Sequence, residues 1–565
     1  MANRSRANWF RADLSEETGM ESAAICREQR QAAASLARAR SEAPPARPAI
    51  RSLEAPWPVL AIFAGAVLLV LPLWIAPMPA MPDYPAHLAS FYLLAGGAKS
   101  PLLAQFYHVQ WAFVPNLAAE AIVPPLAPVI GLGAATAVFL SAAVLLWVLG
   151  AGAVQWALWR RIGIAPLFAG FFAYNANFMW GFFNYFFAMG LAFIAFAGWI
   201  ADTKRRSPFH LAAFASAVLA IYFCHLFAAA VLILLIGCYE ISGIERPLSL
   251  SNALRRGAAV AAICVPALLA FLLLRPAAGG GLFEFNLRDT IGDRLSAAVQ
   301  FCFDQPAWIL FAGLVALFAA GLWRRRIVLH PRMTLVLVVL LLGCAFAPEW
   351  AMGGWGVDLR LPAVLGTLAF AAAGFRFERR TGVALVVAAL VITAWCAAAL
   401  SGNWLYYDRR FAEFRAAAKS LPPGSRLVTV LDGDAMGLAS DQPYWHMAEY
   451  AIIDRQAFTP LLFTTRGQHV IRLQPSVERI AASTAEQGSP PDISELDDLA
   501  AGNANDDPDI RKVFPYLIRF QCHFDYAVVI HLGGHRSPVP DMLALAHAGS
   551  FFSLYRIRPD ENCRK

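Results

Sequence analysis

Residues 59–88 read VLAIFAGAVLLVLPLWIAPMPAMPDYPAHL and contain the first apolar run of the chain together with the place where that run ends. The run over residues 59–75 is long and apolar enough to predict a transmembrane helix. Proline cannot continue a helix, so the four closely spaced prolines after residue 75 predict that the chain leaves the membrane there. This exit brings three polar side chains to the membrane surface, namely Asp83, Tyr84 and His87.

The composition of the 565-residue chain is that of an integral membrane protein. Hydrophobic residues make up 58% of the sequence and charged residues only 15%, whereas soluble domains carry about 25% charged residues. The formal net charge of +7 does not indicate a nucleic-acid partner, because the basic residues form short clusters between apolar runs, as cytoplasmic loops do. Residues 1–52 are polar and rich in Arg and Ala, which predicts a disordered cytoplasmic tail and excludes a signal peptide.

The basic clusters also predict the topology of a transmembrane helical domain over residues 53–400. Keeping every cluster in the cytoplasm requires an even number of crossings between neighbouring clusters. About eleven helices satisfy this condition in an inner (plasma) membrane protein with a cytoplasmic N-terminus and an extracytoplasmic C-terminus. The predicted helices lie near residues 57–76, 130–157, 163–179, 182–201, 209–224, 226–242, 257–275, 305–323, 333–348, 361–375 and 382–400.

Two long loops are predicted on the outer face, at residues 77–128 and 276–305. The second contains three consecutive glycines and is expected to be mobile. The first contains an amphipathic stretch at residues 86–94, which we expect to lie in the membrane interface. Aromatic side chains that follow it are expected at the level of the lipid headgroups: Phe106, Tyr107 and Trp111.

After residue 400 the charge rises and short β-rich runs emerge, so we expect an extracytoplasmic soluble α/β domain over residues 401–565. The pattern predicts strands at 426–431, 526–532 and 551–557, with helices at 411–419 and 540–548. Cys522 and Cys563 fall in this polar region. A disulfide between them is one interpretation if the region is extracytoplasmic, and two free cysteines are the other.

Asp83 is the first candidate for chemistry. A carboxylate at a membrane boundary can accept a proton from a hydroxyl group. A purely structural role stays open, because Asp83 is also well placed to cap a helix that begins at Tyr84 with Pro85 in its first turn. His87 lies four residues on and would share a helix face with Asp83. It could orient the carboxylate, contact a phosphate, or be an interfacial polar residue without a special role.

Other candidates lie at predicted helix ends on the outer side. His225, at the turn between two apolar segments, either contacts a phosphate or Asp83, or is a satisfied histidine of the bundle. Asp358 and Arg360 occupy the mouth between two helices, where the arginine fork would match a phosphate; an ion pair that closes the hairpin is the alternative. Arg288 is a weaker candidate for the same task.

Two segments after residue 440 mix aromatic and polar side chains, as sugar-binding surfaces do, although an ordinary domain core explains them equally well. They are residues 444–446, Tyr-Trp-His, and residues 463–469, Phe-Thr-Thr-Arg-Gly-Gln-His. Phosphate loops of the P-loop type, zinc-ligand spacings and serine nucleophile elbows are absent from the sequence. Their absence argues against an ATP-driven pump, a zinc hydrolase and a lipase.

The proline-broken first helix followed by an aspartate in the first outer loop resembles the GT-C superfamily of polytopic membrane glycosyltransferases. The segment Pro-Asp-Tyr-Pro-Ala-His-Leu, residues 82–88, is similar to a group of bacterial membrane proteins near that superfamily. The resemblance covers the helix number, the long first loop and the C-terminal soluble domain. It implies a polyprenyl-phosphate sugar donor and matches Asp83 to the loop acid that acts as base on the acceptor. The chain departs from the pattern because many relatives carry paired acids there, whereas here His87 is the nearest ionisable neighbour apart from Tyr84.

The sequence therefore predicts a membrane glycosyltransferase that moves a sugar from a polyprenyl-phosphate donor to an acceptor on the extracytoplasmic face, with inversion. Its expected partners are that donor and membrane lipids. A cofactor is not indicated, and a divalent cation stays open. Two functions from other classes also stay open, namely a transporter or flippase for a lipid-linked or small solute, and a non-catalytic scaffold with an outer binding domain.

Overall fold

A computed structural model of the chain describes residues 57–202, 207–244, 250–274, 283–285, 290–301, 307–351, 354–433, 441–481, 489–502, 513–559 and 563. Within these residues, five helices are long and apolar enough to cross a membrane: Pro58–Ile75, Leu132–Trp159, Phe183–Ala201, Leu250–Leu274 and Arg379–Ala418. Six further apolar helices are shorter: Ala118–Ile130, Pro208–Cys224, Leu226–Ser242, Trp308–Trp323, Pro331–Phe346 and Arg360–Ala371. The remaining helices are Tyr84–Leu94, Ala165–Ala169, Ala176–Trp180, Ile291–Ser296, Tyr450–Arg455 and Leu496–Ala501.

The first apolar run forms the helix Trp57–Val70 and continues into the short helix Pro72–Ile75, so the structure has helix where the sequence predicts it. Ala76 then adopts an extended conformation, with φ −106° and ψ 108°. Regular helix does not resume until Tyr84, because the intervening prolines cannot donate the hydrogen bonds that a helix needs. Asp83 therefore stands directly before a new helix.

The helix Tyr84–Leu94 is buried on both faces. Leu88 and Phe91 belong to the large apolar cluster of the spans, whereas Ala86, Ala89 and Leu93 belong to a second cluster formed largely by residues after position 427. The expectation of an interfacial amphipathic segment at 86–94 is therefore wrong, because protein covers the side that would have faced lipid headgroups.

The aromatic residues that follow this helix divide into two groups. Phe106 and Tyr107 are buried in the second apolar cluster, so the headgroup position expected for them is wrong. Trp111 is 59% exposed. Tyr107–Val109 forms strand β1, which pairs antiparallel with β7, Ile471–Leu473. The first loop is thus tied to the C-terminal part of the chain by both a sheet and a core.

The span predicted at 163–179 is wrong as a single helix. The chain forms the helix Ala165–Ala169, a 3-10 turn and then the helix Ala176–Trp180. Asn175 accepts a hydrogen bond from the backbone N–H of Phe178, so its side chain starts a new helix instead of continuing the old one. Gly181, at φ +111°, ends that helix.

A helix of 40 residues, Arg379–Ala418, runs through position 400 and includes the helix predicted separately at 411–419. Its second half carries a buried stripe at Trp404, Tyr407, Phe411 and Phe414, a spacing that keeps all four side chains on one helix face. The sequence break at residue 400 is therefore a change of surroundings along one continuous helix.

A four-stranded sheet with the order β6-β8-β10-β9 follows this helix. Its strands are β6 Leu427–Asp432, β8 Tyr526–His531, β9 Leu543–Ala548 and β10 Phe552–Ile557. β6 and β8 are parallel, and β10 is antiparallel to β8 and to β9. The three predicted strands are confirmed. The helix predicted at 540–548 is wrong, because that segment completes the sheet beside β10.

Two smaller pairings lie in the helical part of the chain. β2, Phe283–Glu284, pairs with β4, Trp350–Ala351, and β3, Ile327–Leu329, pairs with β5, Ala373–Phe375, all antiparallel. Near the end of the chain, Cys522 and Cys563 form a disulfide.

Candidate active site

Asp83 is positioned by its backbone. Its N–H donates to the carbonyl oxygen of Trp180 at 3.1 Å, and its own carbonyl oxygen accepts from the N–H of His87 at 3.0 Å. The carboxylate makes no capping hydrogen bond to the helix Tyr84–Leu94, and the residue has the helical angles φ −83° and ψ −8°. The capping interpretation is therefore wrong for the side chain, which remains available for other contacts.

Gly181 allows another segment to approach Asp83 closely. A Cβ atom built on Gly181 would lie 2.6 Å from the Cβ atom of Asp83, a distance that no real side chain tolerates. Gly181 also has a φ angle of +111°, a conformation that glycine adopts without strain. The end of the helix Ala176–Trp180 is thereby held directly against the acid.

Two residues from the C-terminal part of the chain extend this site. The Nε2 atom of His446 lies 3.8 Å from Oδ1 of Asp83, and its Nδ1 atom lies 3.6 Å from Oε1 of Glu449. The side chains of His446 and Glu449 are 2% and 1% exposed, and that of Asp83 is 17% exposed. The side chains of Asp83, His446 and Glu449 thus follow one another in a line, and the more exposed end of this line is Asp83.

This line is not closed by hydrogen bonds. The distance from Asp83 to His446 and the distance from His446 to Glu449 are both too long for a hydrogen bond. Among the described residues, the Nδ1 atom of His446 and both carboxylate oxygens of Glu449 are buried without a hydrogen-bond partner. Buried polar atoms are nearly always paired, so these atoms are hydrogen-bonding positions that the described residues leave open.

Burial changes the acid–base properties of these groups. It raises the pKa of Asp83 to about 6, although the charge of His446 works in the opposite direction. Burial alone lowers the pKa of His446, but the contact with Glu449 and the charge of Asp83 outweigh it, so that pKa lies above its usual value. Asp83 therefore changes between its acid and its base form close to neutral pH, where a general acid–base catalyst works best.

His87 lies beside this line as part of an aromatic wall. Its ring centroid is 4.8 Å from that of Phe183 and 5.2 Å from that of Phe463. Burial lowers the pKa of His87 to about 3 and that of His469, which also stacks on Phe463, to about 4. Both imidazoles are thus uncharged at neutral pH, and His87 supplies no positive charge to a phosphate.

Arg360 lies in a cage of aromatic rings at the start of the helix Arg360–Ala371. Its guanidinium carbon lies 5.2 Å from the ring centre of Phe182, 5.5 Å from that of Tyr185 and 5.4 Å from that of Phe227. One NH2 group donates to the carbonyl oxygen of Trp355 at 3.0 Å. The buried Nε atom has no hydrogen-bond partner among the described residues.

Asp358 does not pair with Arg360. Its Oδ2 atom lies 3.7 Å from Nε of Arg294, whose NH1 group donates to the carbonyl oxygen of Ala347 at 2.9 Å. Burial raises the pKa of Asp358, while the charge of Arg294 opposes that change. The alternative that an Asp358–Arg360 ion pair closes the hairpin is therefore wrong. Asp358 instead contacts Arg294 and so anchors the helix Ile291–Ser296.

His225 separates the helices Pro208–Cys224 and Leu226–Ser242, which confirms the turn predicted there. Its Nδ1 atom accepts from the N–H of Phe227 at 3.2 Å, and its ring lies 5.3 Å from that of Tyr185. The hydroxyl of Tyr185 donates to the carbonyl oxygen of Arg360 at 2.8 Å. His225 thus belongs to the surroundings of Arg360. Arg288 lies outside the described residues.

The described residues do not fit a divalent cation. Among them, no group of three or more His, Cys, Asp or Glu side chains is arranged to hold a metal ion. Asp83 and Glu449 contact opposite nitrogens of the same imidazole, so the two carboxylates do not converge on one point.

Sequence reasoning identified Asp83 but missed His446 and Glu449 as its neighbours. The two lie more than 350 positions away in the sequence, and a local pattern cannot show such a contact. The one available signal was the mixture of aromatic and polar residues at 444–446. It indicates a binding surface but not the residue that the surface faces.

Protein-family models do not match the chain, and neither do curated proteins. The solved structures that are similar to it include the following two. One is ArnT from Cupriavidus metallidurans bound to undecaprenyl phosphate, with 12% identity, a TM-score of 0.45, and coverage of 88% of this chain and 98% of that chain. The other is the arabinofuranosyltransferase AftD from Mycobacteria, with 16% identity and a TM-score of 0.43; it is matched over 91% of this chain and 40% of its own length. TM-scores of this size carry no argument about what this chain does.

Proposed function

We propose that this protein is a GT-C-like membrane glycosyltransferase that transfers a sugar from a polyprenyl-phosphate donor to a hydroxyl-bearing acceptor on the extracytoplasmic face. The observation that carries the proposal is the buried line of Asp83, His446 and Glu449, which ends in an acid with a pKa of about 6 directly after the first apolar helix. An acid of this kind is suited to removing a proton from a hydroxyl group near neutral pH.

In the proposed reaction, the ionised carboxylate of Asp83 accepts the proton of the acceptor hydroxyl. The acceptor oxygen forms a bond to the anomeric carbon of the donor sugar. The bond between that carbon and the phosphate oxygen breaks, and the polyprenyl phosphate leaves with the electron pair. A single displacement with one base inverts the configuration at the anomeric carbon. The donor enters from the bilayer, and the acceptor arrives from the aqueous side.

Arg360 is the proposed partner of the departing phosphate. Its guanidinium is held by three rings and by the carbonyl oxygen of Trp355, while its Nε donor remains for an anion. Such a charge stabilises the negative charge that develops on the leaving group. Replacement by lysine would keep the charge but lose the fork that matches a phosphate.

His446 and Glu449 are proposed as positioning residues. Contact with Asp83 on one side and Glu449 on the other keeps the imidazole between two acids. As Asp83 takes up a proton, its charge is neutralised, while His446 and Glu449 still balance each other. The acid can therefore change its protonation state without leaving an isolated charge in a buried place.

The five helices that are long and apolar enough to cross a membrane support a membrane-embedded chain, for which we propose about eleven crossings. In the proposed arrangement the N-terminus is cytoplasmic, and the sheet β6-β8-β10-β9 belongs to an extracytoplasmic domain over residues 401–565. The disulfide between Cys522 and Cys563 supports that location, because such bonds persist in oxidising compartments.

The test is to incubate the full-length protein, in lipid nanodiscs, with polyprenyl-phosphate monosaccharides and a mixture of envelope acceptors, and to follow product by mass spectrometry. We expect the unaltered protein and Glu478→Gln to form a glycosylated product, because Glu478 lies in an exposed pair with Arg466. Asp83→Asn should bind the donor but form almost no product.

Each other outcome overturns the proposal. Product formation by Asp83→Asn at the rate of Glu478→Gln would exclude Asp83 as the base. Movement of the intact donor across the membrane, without any glycosylated product from the unaltered protein, would identify a transporter or flippase instead.

A further inference from the structure

Three tryptophans from distant parts of the sequence meet beside Asp83. The ring of Trp180 lies 4.9 Å from that of Trp355 and 5.6 Å from that of Trp445, measured between centroids. All three side chains are partly buried. We call them the tryptophan cluster.

The tryptophan cluster differs from the tryptophans on the apolar surface of the protein. Trp74, Trp111, Trp308 and Trp395 are 53%, 59%, 59% and 65% exposed, as expected for rings that face lipid or its headgroups. The members of the cluster are more enclosed, and they contact one another at steep angles, 74° and 60° between ring planes. The cluster is held beside Asp83 by the backbone of Trp180, whose carbonyl oxygen accepts the N–H of Asp83.

Two carboxylates fix the orientation of the cluster. The indole N–H of Trp355 donates to Oε1 of Glu349 at 2.9 Å, and that of Trp445 donates to Oδ2 of Asp441 at 3.0 Å. Both acids are partly exposed, and each has a second oxygen that can accept a hydrogen bond. Flat apolar faces beside acceptor oxygens suit a sugar ring, which presents apolar C–H patches and hydroxyl donors.

The cluster also lies between the two ends of the proposed reaction. The carbonyl oxygen of Trp180 accepts from the backbone N–H of Asp83 at 3.1 Å. The carbonyl oxygen of Trp355 accepts from the guanidinium of Arg360 at 3.0 Å. A sugar in transfer must lie between the base that activates the acceptor and the group that holds the departing phosphate, and the tryptophan cluster connects these two places.

We propose that the tryptophan cluster, with Glu349 and Asp441, is the subsite for the sugar ring that is transferred. This inference rests on the function proposed above and adds the class of sugar. Two carboxylates at the rim attract hydroxyl and ammonium groups and repel a carboxylate. The subsite therefore accepts a neutral or amino sugar and rejects a uronic acid.

The experiment compares the binding of two probes to the full-length protein in nanodiscs: decaprenyl phosphate alone, and decaprenyl phosphate that carries glucose or mannose. The difference in affinity between the sugar-bearing probe and decaprenyl phosphate alone measures the contribution of the sugar contact. We expect Trp355→Leu to lower the affinity for the sugar-bearing probe about tenfold and to leave that for decaprenyl phosphate unchanged, with Trp355→Phe in between. Trp395→Leu, on an exposed face of a membrane helix, is the matched control and should change neither affinity.

The proposed rejection of uronic acids is tested with a third probe, decaprenyl phosphate that carries glucuronic acid. We expect it to bind no better than decaprenyl phosphate alone, and Glu349→Gln to improve its binding while weakening that of the neutral sugar. Equal losses for all probes in Trp355→Leu, or unchanged sugar affinity in both Trp355→Leu and Glu349→Gln, would overturn the subsite.

These binding measurements separate the two proposals. A sugar-dependent affinity that Trp355→Leu abolishes, in a protein that never forms product, would retain the subsite and remove the transferase. Product formation that Asp83→Asn abolishes, with a sugar affinity that the cluster does not affect, would retain the transferase and remove the subsite.

Discussion

Among the described residues, two aspartate–histidine pairs lie in different surroundings. In the sheet, Nδ1 of His531 lies 2.7 Å from Oδ2 of Asp432, its Nε2 lies 2.9 Å from Oγ of Ser553, and the N–H of Ser537 donates to Asp432 at 3.1 Å. In the candidate active site, His446 lies 3.8 Å from Asp83 and 3.6 Å from Glu449.

The two aspartates respond to these surroundings in opposite directions. Burial raises the pKa of Asp432, but hydrogen bonds from Ser537 and His531 outweigh that effect and hold the pKa below its usual value. The pKa of Asp83 lies above its usual value because burial is opposed there only by the charge of His446. Complete hydrogen bonding fixes one charge state, whereas incomplete bonding leaves the other acid able to titrate.

The sheet pair also has the order of groups found in a hydrolase triad, because Ser553, His531 and Asp432 follow one another in contact. Ser553 is nevertheless 1% exposed and Asp432 is fully buried. A substrate carbonyl cannot reach such a hydroxyl. The sheet pair therefore has a structural role, and Asp83 remains the proposed base.

The largest expected effect is on turnover. Asp83→Asn should lower kcat about 10²–10⁴-fold, the range typical of a lost general base, because an amide cannot accept the proton. Asp432→Asn should leave the turnover of each folded molecule within about twofold. Steady-state kinetics, normalised to the folded fraction, check both values. A large loss in Asp432→Asn would contradict the division of roles.

The second effect is on stability, and here the sheet pair should matter more than the pair at Asp83. Asp432→Ala should lower the free energy of unfolding by about 3–5 kcal/mol, because it leaves His531 buried without its acid. His446→Gln should lower that free energy by less than Asp432→Ala does, because it breaks no hydrogen bond, although it leaves Glu449 buried without its partner. Thermal unfolding in detergent measures both, and a reversed order would break the comparison.

The third effect is a gain in stability that depends on pH. A carboxyl whose pKa rises on folding binds its proton more tightly in the folded state, so it destabilises that state increasingly as the pH rises from about 4 to about 6. Asp83→Asn should therefore stabilise the protein by roughly 1–3 kcal/mol at about pH 8 and leave it unchanged at about pH 3.5. Unfolding midpoints across that range check the sign, and a loss of stability at the higher pH would contradict a buried acid.

The smallest effect sharpens the role of His446. Its positive charge lowers the pKa of Asp83, so His446→Gln should move the acidic limb of the pH–rate profile upward by about half a unit to one unit. Glu449→Gln should move the limb in the same direction by less, because it acts through His446. His547→Gln, an exposed residue of β9, is the control and should leave the profile unchanged. An unshifted limb in His446→Gln would show a merely structural histidine.

The sequence predicted those features that depend on local patterns. Residues 59–75 form a long apolar helical segment because of their apolar run, and the prolines place Asp83 after its end. The strands at β6, β8 and β10 follow from their β-branched and apolar residues. Each of these features is decided by neighbours within a few positions of the chain.

Features decided by distant contacts were not predictable in this way. Residues 543–548 form a strand because β10 offers them an edge. Phe106 is buried because a core from the C-terminal part covers it. His446 becomes a neighbour of Asp83 only when the first loop and the C-terminal part fold together, and a single sequence contains no local trace of that meeting.

The helix Arg379–Ala418 has a mechanical consequence. Its 40 residues extend for about 60 Å, roughly twice the thickness of the hydrocarbon layer. Near its far end, Asp408 accepts the N–H of Met78 at 3.0 Å, and Arg415 forms a two-point ion pair with Asp454. This one helix therefore sets the distance of both sides of the candidate active site from the lipid. A tilt of this helix would move the two sides of the candidate site together, because the same helix holds the segment before Asp83 and the segment after His446.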